Sequence, residues 1–214
     1  MLTDDVHDEQ GRLLYTGQGD IFSIHGARCT PVNPHPAGWQ RALPAARHTK
    51  GAGEWNHYRI EARDGTITLS VNGHQVSEVR DGNPRSGFLS LEPEGSEIRF
   101  RNIRLKELPV GESSEEGSPS LAMRGGDGWK TLFGADLAPW KLDTELAKHW
   151  SVHGTTLRFD GRGGDLWTRE SFGDFDLVVD WRWTKEHQGL MHRPVILPDG
   201  SEATRGWFSE DRGG

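Results

Sequence analysis

Cysteine and long apolar runs are the two features that this 214-residue sequence most clearly lacks. The single cysteine, Cys29, excludes an internal disulfide and a cysteine-based zinc site, because both need more than one thiol. No apolar run approaches the ~20 residues that cross a bilayer as a helix, so no membrane span is expected. The first ten residues contain neither a basic region nor an apolar region, and no signal peptide is predicted from them.

Concentrated basic charge is also missing. The formal net charge is -7, and the lysine and arginine residues are scattered singly along the chain. Proteins that bind nucleic acid concentrate basic residues on one face or along one element. A nucleic-acid partner is therefore not expected.

Turn-forming residues and tryptophan are abundant instead. The sequence has 28 glycines, 11 prolines and 9 tryptophans, whereas only 33% of its residues are hydrophobic. This composition favours short strands joined by many turns over long helices. We predict an all-β fold, and the length suffices for one large β domain or two small ones.

The clearest single element is the segment 175–183, in which apolar residues alternate with others. Alternate residues of a strand share one face, so this pattern predicts a strand whose apolar side packs on a second sheet. That side consists of Phe175, Leu177, Val179, Trp181 and Trp183. The opposite side carries Asp176, Val178, Asp180 and Arg182, and such charges favour contact with water or with a polar ligand.

The sequence also predicts two local features of the strands, a hairpin turn and a β-bulge. Two alternating runs flank Asn72-Gly73, and this dipeptide predicts a tight hairpin because both turn positions need positive φ. In the predicted strand 97–105 the apolar residues change parity partway along, which predicts a β-bulge near Arg101 and Asn102.

The segment 11–50 shows little periodicity, which is typical of a covering or functional loop. The histidines of the first fifty residues are expected to be solvated, since their spacing does not form a metal-ligand cluster; they are His7, His25, His35 and His48. His149 and His153 have helical i, i+4 spacing but lie in a predicted strand and turn, so no zinc pair is expected there.

The polar side of segment 175–183 allows two interpretations. Its charged residues, Asp176, Asp180 and Arg182, could form cross-strand ion pairs on an exposed sheet face. Alternatively they could bind a sugar, because carboxylates, arginine and flanking aromatic rings suit saccharides. Trp55 and Trp181 lie beside apolar alternation, and we interpret both as core residues rather than sugar platforms.

Several longer segments resemble one known family. GEWNHYRIEARDGTITLSVNG, RSGFLSLEPEGSEIRFRNIRLKEL, TGQGDIFSIHGA and TPVNPHPAGW resemble the second half of a 3-keto-disaccharide hydrolase domain. GWKTLFGADLAPWKL, GGDLWTRESFGDFDLVVDWRW and RPVILPDG resemble the first half of such a domain. The resemblance covers nearly the whole chain outside one segment rich in acidic residues, Pro, Gly and Ser.

The order of the two halves departs from the family pattern. We assign residues 1–108 to a second half, 109–128 to an acidic linker, and 129–214 to a first half. The family's central strand, of the Ser-Gly-Ile-Tyr-Leu-Arg type, is absent, which would leave unpaired edges beside segment 175–183. The chain is therefore expected to be a piece of a tandem protein or a permuted sandwich, with self-association through incomplete sheets as one consequence.

The resemblance implies a concanavalin A-like β-sandwich or jelly roll that cleaves glycosides oxidised to a ketone at carbon 3. A base would remove the acidified C2 proton, a cation would hold the enolate, and the C1 group would leave before water adds. A carbohydrate-binding module of the same fold, without a base, is the alternative. The family also implies a periplasmic or extracellular location.

Candidate site residues follow from the polar strand and the resemblance together. Asp180 is the candidate base or metal ligand, Arg182 the clamp for the enolate or a hydroxyl, and Asp4 a second carboxylate. Asp176 and His25 are assigned to substrate binding. Carboxylates on one sheet face could hold a divalent metal, although nothing in the sequence requires one.

Overall fold

The strands of this protein were located in a computed structural model, which describes residues 6–7, 10–11, 13–15, 18–92, 97–109, 128–134, 136–184, 194–196 and 202–204. The strands are β1 (Val6–His7), β2 (Leu13–Tyr15), β3 (Ile21–Phe22), β4 (Arg28–Pro31), β5 (Arg41–Ala42), β6 (Asn56–Arg63), β7 (Thr66–Val71), β8 (His74–Asn83), β9 (Gly87–Leu91), β10 (Glu97–Glu107), β11 (Trp129–Thr131), β12 (Trp140–Lys141), β13 (Trp150–His153), β14 (Thr156–Asp160), β15 (Leu166–Phe172), β16 (Phe175–Trp183), β17 (Pro194–Ile196) and β18 (Glu202–Thr204). The helical structure among these residues is one 3-10 turn, Leu146–Lys148, and none of it is long and apolar enough to cross a bilayer. The predicted all-β class is confirmed.

Two antiparallel sheets form the body of the fold. The large sheet has the order β13-β14-β10-β16-β6-β7-β8-β4, with β11 also paired to β10, and the smaller sheet has the order β12-β15-β9. Buried side chains from both sheets meet in one core cluster, to which the smaller sheet contributes Trp140, Leu166 and Phe172, while Leu69, Val71 and Val76 of the large sheet form a second cluster. This packing of two sheets across one apolar layer is a β-sandwich.

Strand β16 joins the two segments that flank the acidic linker. It pairs with β10 on one side and with β6 on the other, and both of those strands precede residue 109. Its residues Leu177, Val179 and Trp181 share the core cluster with Ile98 and Phe100 of β10. The two segments therefore close on each other, and the prediction of unpaired edges beside β16 is wrong.

The local predictions are also confirmed. Asn72 and Gly73 have φ values of 51° and 90° and connect β7 to β8 as paired neighbours. The register of β10 on β16 shifts between Arg101 and Arg104, and Asn102 in this bulge has φ 52°. Asparagine tolerates the left-handed region better than most residues, so it suits both positions.

Cutting the chain within residues 109–128 should leave the two pieces associated. The β10–β16 and β6–β16 pairings cross the cut, and the apolar core is shared between the pieces. A protease site inserted in this segment, followed by size-exclusion chromatography, checks the expectation. Co-elution in buffer and separation in denaturant are expected, whereas two peaks in buffer would show that the halves are independent.

Candidate functional site

The face of the large sheet opposite the core is polar along its three central strands. We call it the polar face; its residues on β6, β16 and β10 are His57, Arg59, Glu61, Asp176, Asp180, Arg182, Arg99, Arg101, Arg104 and Lys106. Strand register places them in rows, with Asp180 opposite both His57 and Arg101. Side chains alternate across a strand, so packing the apolar side of each strand into the core leaves its polar side chains on the opposite face of the sheet. The polar side chains of neighbouring strands therefore lie side by side.

Asp180 is the centre of the largest hydrogen-bonded group on this face. Its Oδ1 lies 2.7 Å from Nδ1 of His57, and its Oδ2 accepts from Nδ2 of Asn102 at 2.6 Å and from Nε of Arg101 at 3.1 Å. Asp180 is only 8% exposed. The expectation that this carboxylate faces water is wrong, because these three partners replace water around it.

The hydrogen bonds also set the protonation of Asp180. Burial alone would raise the pKa of its carboxyl group, but the hydrogen bonds from His57 and Asn102 outweigh burial and hold the pKa below its usual value. Asp180 is thus a carboxylate at neutral pH. With both oxygens occupied it is poorly suited to take a proton from a substrate, and its geometry suits holding His57.

His57 is held in one orientation with one ring nitrogen left open. A carboxylate only accepts hydrogen bonds, so Nδ1 of His57 donates to Asp180, and Nε2 is the nitrogen that carries the lone pair in the neutral form of the ring. Nε2 has no hydrogen-bond partner among the described residues, and the side chain is 24% exposed. The backbone N–H of His57 donates to the Asn72 side chain at 2.9 Å, which ties the histidine to the hairpin turn.

Asp176 forms a second buried pair nearby. Arg59 donates to both of its oxygens, through Nη2 at 2.7 Å and through Nε at 3.0 and 3.1 Å. The hydrogen bond to Asp176 raises the pKa of Arg59, so the guanidinium stays charged. Cross-strand ion pairs are therefore present at Asp176 and Asp180, whose carboxylates are buried, but none of the described residues forms such a pair with Arg182.

Guanidinium groups surround Trp55 at the end of the polar face. Arg101 and Arg182 lie over its ring, with their Cζ atoms 4.0 and 4.6 Å from the ring centroid. Such contacts are favourable because the ring face is electron-rich. Trp55 is only partly buried and is not in the apolar core cluster, so its interpretation as a core residue is wrong, whereas Trp181 is a core residue.

Glu97 lies beside this arginine group. Its carboxylate accepts from Arg158 at 2.6 Å and from Arg99 at 3.0 Å. The hydrogen bond from Arg158, helped by Arg99 and opposed by burial, lowers the pKa of Glu97 to about 2. Glu97 is therefore a fixed negative charge that neutralises part of the arginine cluster.

The structure brings together three of the five predicted site residues. Asp176, Asp180 and Arg182 lie on the polar face of β16. His25 is exposed in a turn between β3 and β4, and no contact joins it to Asp176 or Asp180 among the described residues. Asp4 lies outside the described residues.

Sequence reasoning missed His57, Arg101 and Asn102 as partners of Asp180. His57 lies on the polar side of a run whose apolar residues, Tyr58, Ile60 and Ala62, alternate in sequence, so strand parity alone could have marked it as a candidate. Its pairing with Asp180 spans 123 residues of sequence, and no local pattern contains that register.

A metal centre has no ligand set in the part of the chain that the structure describes. No group of three or more His, Cys, Asp or Glu residues is placed there to hold an ion. The carboxylates of Asp176 and Asp180 already accept hydrogen bonds from Arg59 and from the His57 group. The described residues therefore do not provide a binding site for the divalent metal that was considered possible from the sequence.

Comparison with known proteins identifies the family. The model of the 3-keto-alpha-glucoside-1,2-lyase-like domain matches residues 3–106 and 128–208. No curated protein and no solved structure matches the chain significantly. The family match spans both segments that build the polar face, and the chain belongs to the 3-keto-alpha-glucoside-1,2-lyase-like domain family.

Proposed function

We propose that this domain cleaves glycosides whose sugar carries a ketone at carbon 3, by eliminating the substituent at carbon 1. The observation that carries the proposal is the pair of His57 and Asp180 on the polar face, joined at 2.7 Å, with Nε2 of His57 bonded to no described residue and the side chain partly exposed. A histidine oriented in this way by a carboxylate is a good general base at neutral pH. The family description, a 1,2-lyase acting on a 3-keto glucoside, names an elimination between carbons 1 and 2.

The steps follow from the acidity of the substrate. The C3 ketone acidifies the C2 hydrogen, and Nε2 of His57 takes that proton while the C–H electron pair forms an enolate. The guanidinium of Arg101, next to Asp180, stabilises the enolate oxygen. The enolate then reforms the ketone, C1=C2 forms, and the C1–O bond breaks; the leaving oxygen takes a proton from the histidine. Addition of water to the enone would complete a net hydrolysis.

In this mechanism the predicted site residues have roles that differ from those inferred from the sequence. Asp180 positions His57 and compensates the charge that the imidazole gains, rather than acting as the base itself. Arg182 is the second cation within reach of the bound sugar. Asp176, His25 and Asp4 remain candidates for substrate binding and for a second carboxylate, and residues 1–108 and 129–214 remain proposed halves of two domain copies.

An ordinary two-carboxylate glycosidase mechanism fits the site less well. That mechanism needs one carboxylic acid to protonate the leaving oxygen and one free carboxylate. Asp176 is bound by Arg59 through both oxygens, and Asp180 is bound by three partners. Neither is placed as a protonated acid.

A chromogenic 3-keto glucoside tests the proposal directly. We expect release of the chromophore together with an enone that absorbs in the ultraviolet, and no release from the unoxidised glucoside, whose C2 hydrogen is not acidic. Tight binding of the unoxidised glucoside without turnover of either compound would instead support the carbohydrate-binding module.

A further inference from the structure

The arginine cluster around Trp55, formed by Arg99, Arg101 and Arg182, contains one guanidinium that has no carboxylate partner among the described residues. On the polar face Arg59 pairs with Asp176, Arg99 with Glu97, and Arg101 with Asp180. Arg182 forms no hydrogen bond and no ion pair with a described residue; its contact is the ring of Trp55 at 4.6 Å. This guanidinium lies over an indole ring, and its five N–H donors keep their hydrogen-bonding capacity.

Arg99 and Arg101 place positive charge beside Arg182, and Glu97 and Asp180 offset part of it through their ion pairs, in a chain whose formal net charge is -7. Arg99 is its direct cross-strand neighbour on β10. Burial and the charges of Arg99 and Arg101 lower the pKa of Arg182, which shows that like charges are held together here. An incoming anion would relieve that repulsion.

The position of Arg182 relative to the proposed base is equally informative. Arg182 follows Asp180 by two residues on the same face of β16, and Asp180 is opposite His57. Two residues of a strand span ~7 Å, so the backbone of Arg182 lies about that far from that of Asp180 along β16. A saccharide with its C2 at His57 can reach the cluster with a substituent elsewhere on the ring or on the next sugar.

We propose that Arg182, supported by Arg99 and Trp55, binds an anionic group on the saccharide substrate, either a carboxylate or a sulfate ester. The inference rests on the proposed function, since it names the substrate class of the same site. Arginine suits this role because its planar fork matches the paired oxygens of both groups. The preferred substrates would then be acidic 3-keto glycosides rather than neutral ones.

Binding measured without turnover tests the inference. Calorimetric titration would compare methyl α-glucoside with methyl α-glucuronide and with methyl α-glucoside 6-sulfate at low ionic strength. We expect at least one acidic sugar to bind about tenfold more tightly than the neutral one, and the two acidic arms identify which anion is recognised. Added salt should reduce this preference, because the ion pair is partly exposed to solvent.

Variants localise the effect. Arg182→Gln should bring the affinity ratio of acidic to neutral sugar close to one, and Arg182→Lys should retain part of it. Arg80→Gln is the matched control: Arg80 lies on β8, its side chain is 62% exposed, and it pairs with Glu78. The control should leave the ratio unchanged, and thermal melts would establish that each variant is folded.

Two results would overturn the inference: equal affinity for acidic and neutral sugars, or a preference that survives in folded Arg182→Gln. These are distinct from failure of the proposed function. Preferential binding of an acidic sugar without cleavage of any 3-keto glycoside would support the anion site and contradict the lyase proposal. Cleavage of neutral and acidic substrates at equal efficiency would support the lyase proposal and contradict the anion site.

Discussion

Replacing His57 by glutamine should lower kcat for a 3-keto glycoside by about 10²- to 10⁴-fold, the usual contribution of a general base. Glutamine keeps a side-chain amide that can reach Asp180, but it offers no nitrogen that can take a proton at neutral pH. The melting temperature should change little, because the ring is partly exposed and the hydrogen bond from its backbone N–H to Asn72 remains. Steady-state kinetics on the chromogenic 3-keto glucoside would provide the measurement.

His153→Gln is the control for this substitution. His153 lies on β13, is exposed, and contacts Ser151 away from the Asp180 group. Its replacement should leave kcat within about twofold, since a surface substitution distant from the site removes no interaction with substrate. If His57→Gln kept most of its activity while the control did too, His57 would not be the base.

Asp180→Asn should lower both activity and stability. The uncharged amide cannot compensate the imidazolium of His57, and it leaves Arg101 without its carboxylate. Hydrogen bonds to a charged group contribute about 1.5–3 kcal/mol, and Asp180 is largely buried, so a clear fall in the denaturation midpoint is expected. This expectation differs from that for a solvent-facing carboxylate, whose replacement would leave the melting temperature nearly unchanged.

The controls for Asp180 are a surface substitution and a pH series. Glu170→Gln alters a carboxylate whose side chain is 72% exposed, and it should leave both midpoint and activity unchanged. The pKa of Asp180 lies below its usual value when folded, so its stabilisation is present at neutral pH and is lost only as the pH falls through that lowered pKa. An Asp180→Asn variant as stable as the parent at pH 7 would contradict the buried network.

The residue pattern was sufficient to predict those structural features that depend only on residues close together in the sequence. Alternation identified β16 and its core side, Asn72-Gly73 identified the turn between β7 and β8, and the change of parity identified the bulge at Arg101. These features follow from backbone geometry, which has a period of two in strands and needs positive φ in tight turns. The resemblance likewise identified the family that the comparison confirms.

Tertiary structure alone decided what surrounds Asp180. Five antiparallel pairings join strands from the two sides of the acidic linker, namely β10 with β11, β14 and β16, β6 with β16, and β9 with β15. The register of these distant strands brings His57, Arg101 and Asn102 onto one carboxylate, and thereby changes Asp180 from a solvent-facing base into a buried partner of His57. Sequence determined which face of each strand is polar; long-range register, set by how two apolar sheets pack, determined which polar groups meet.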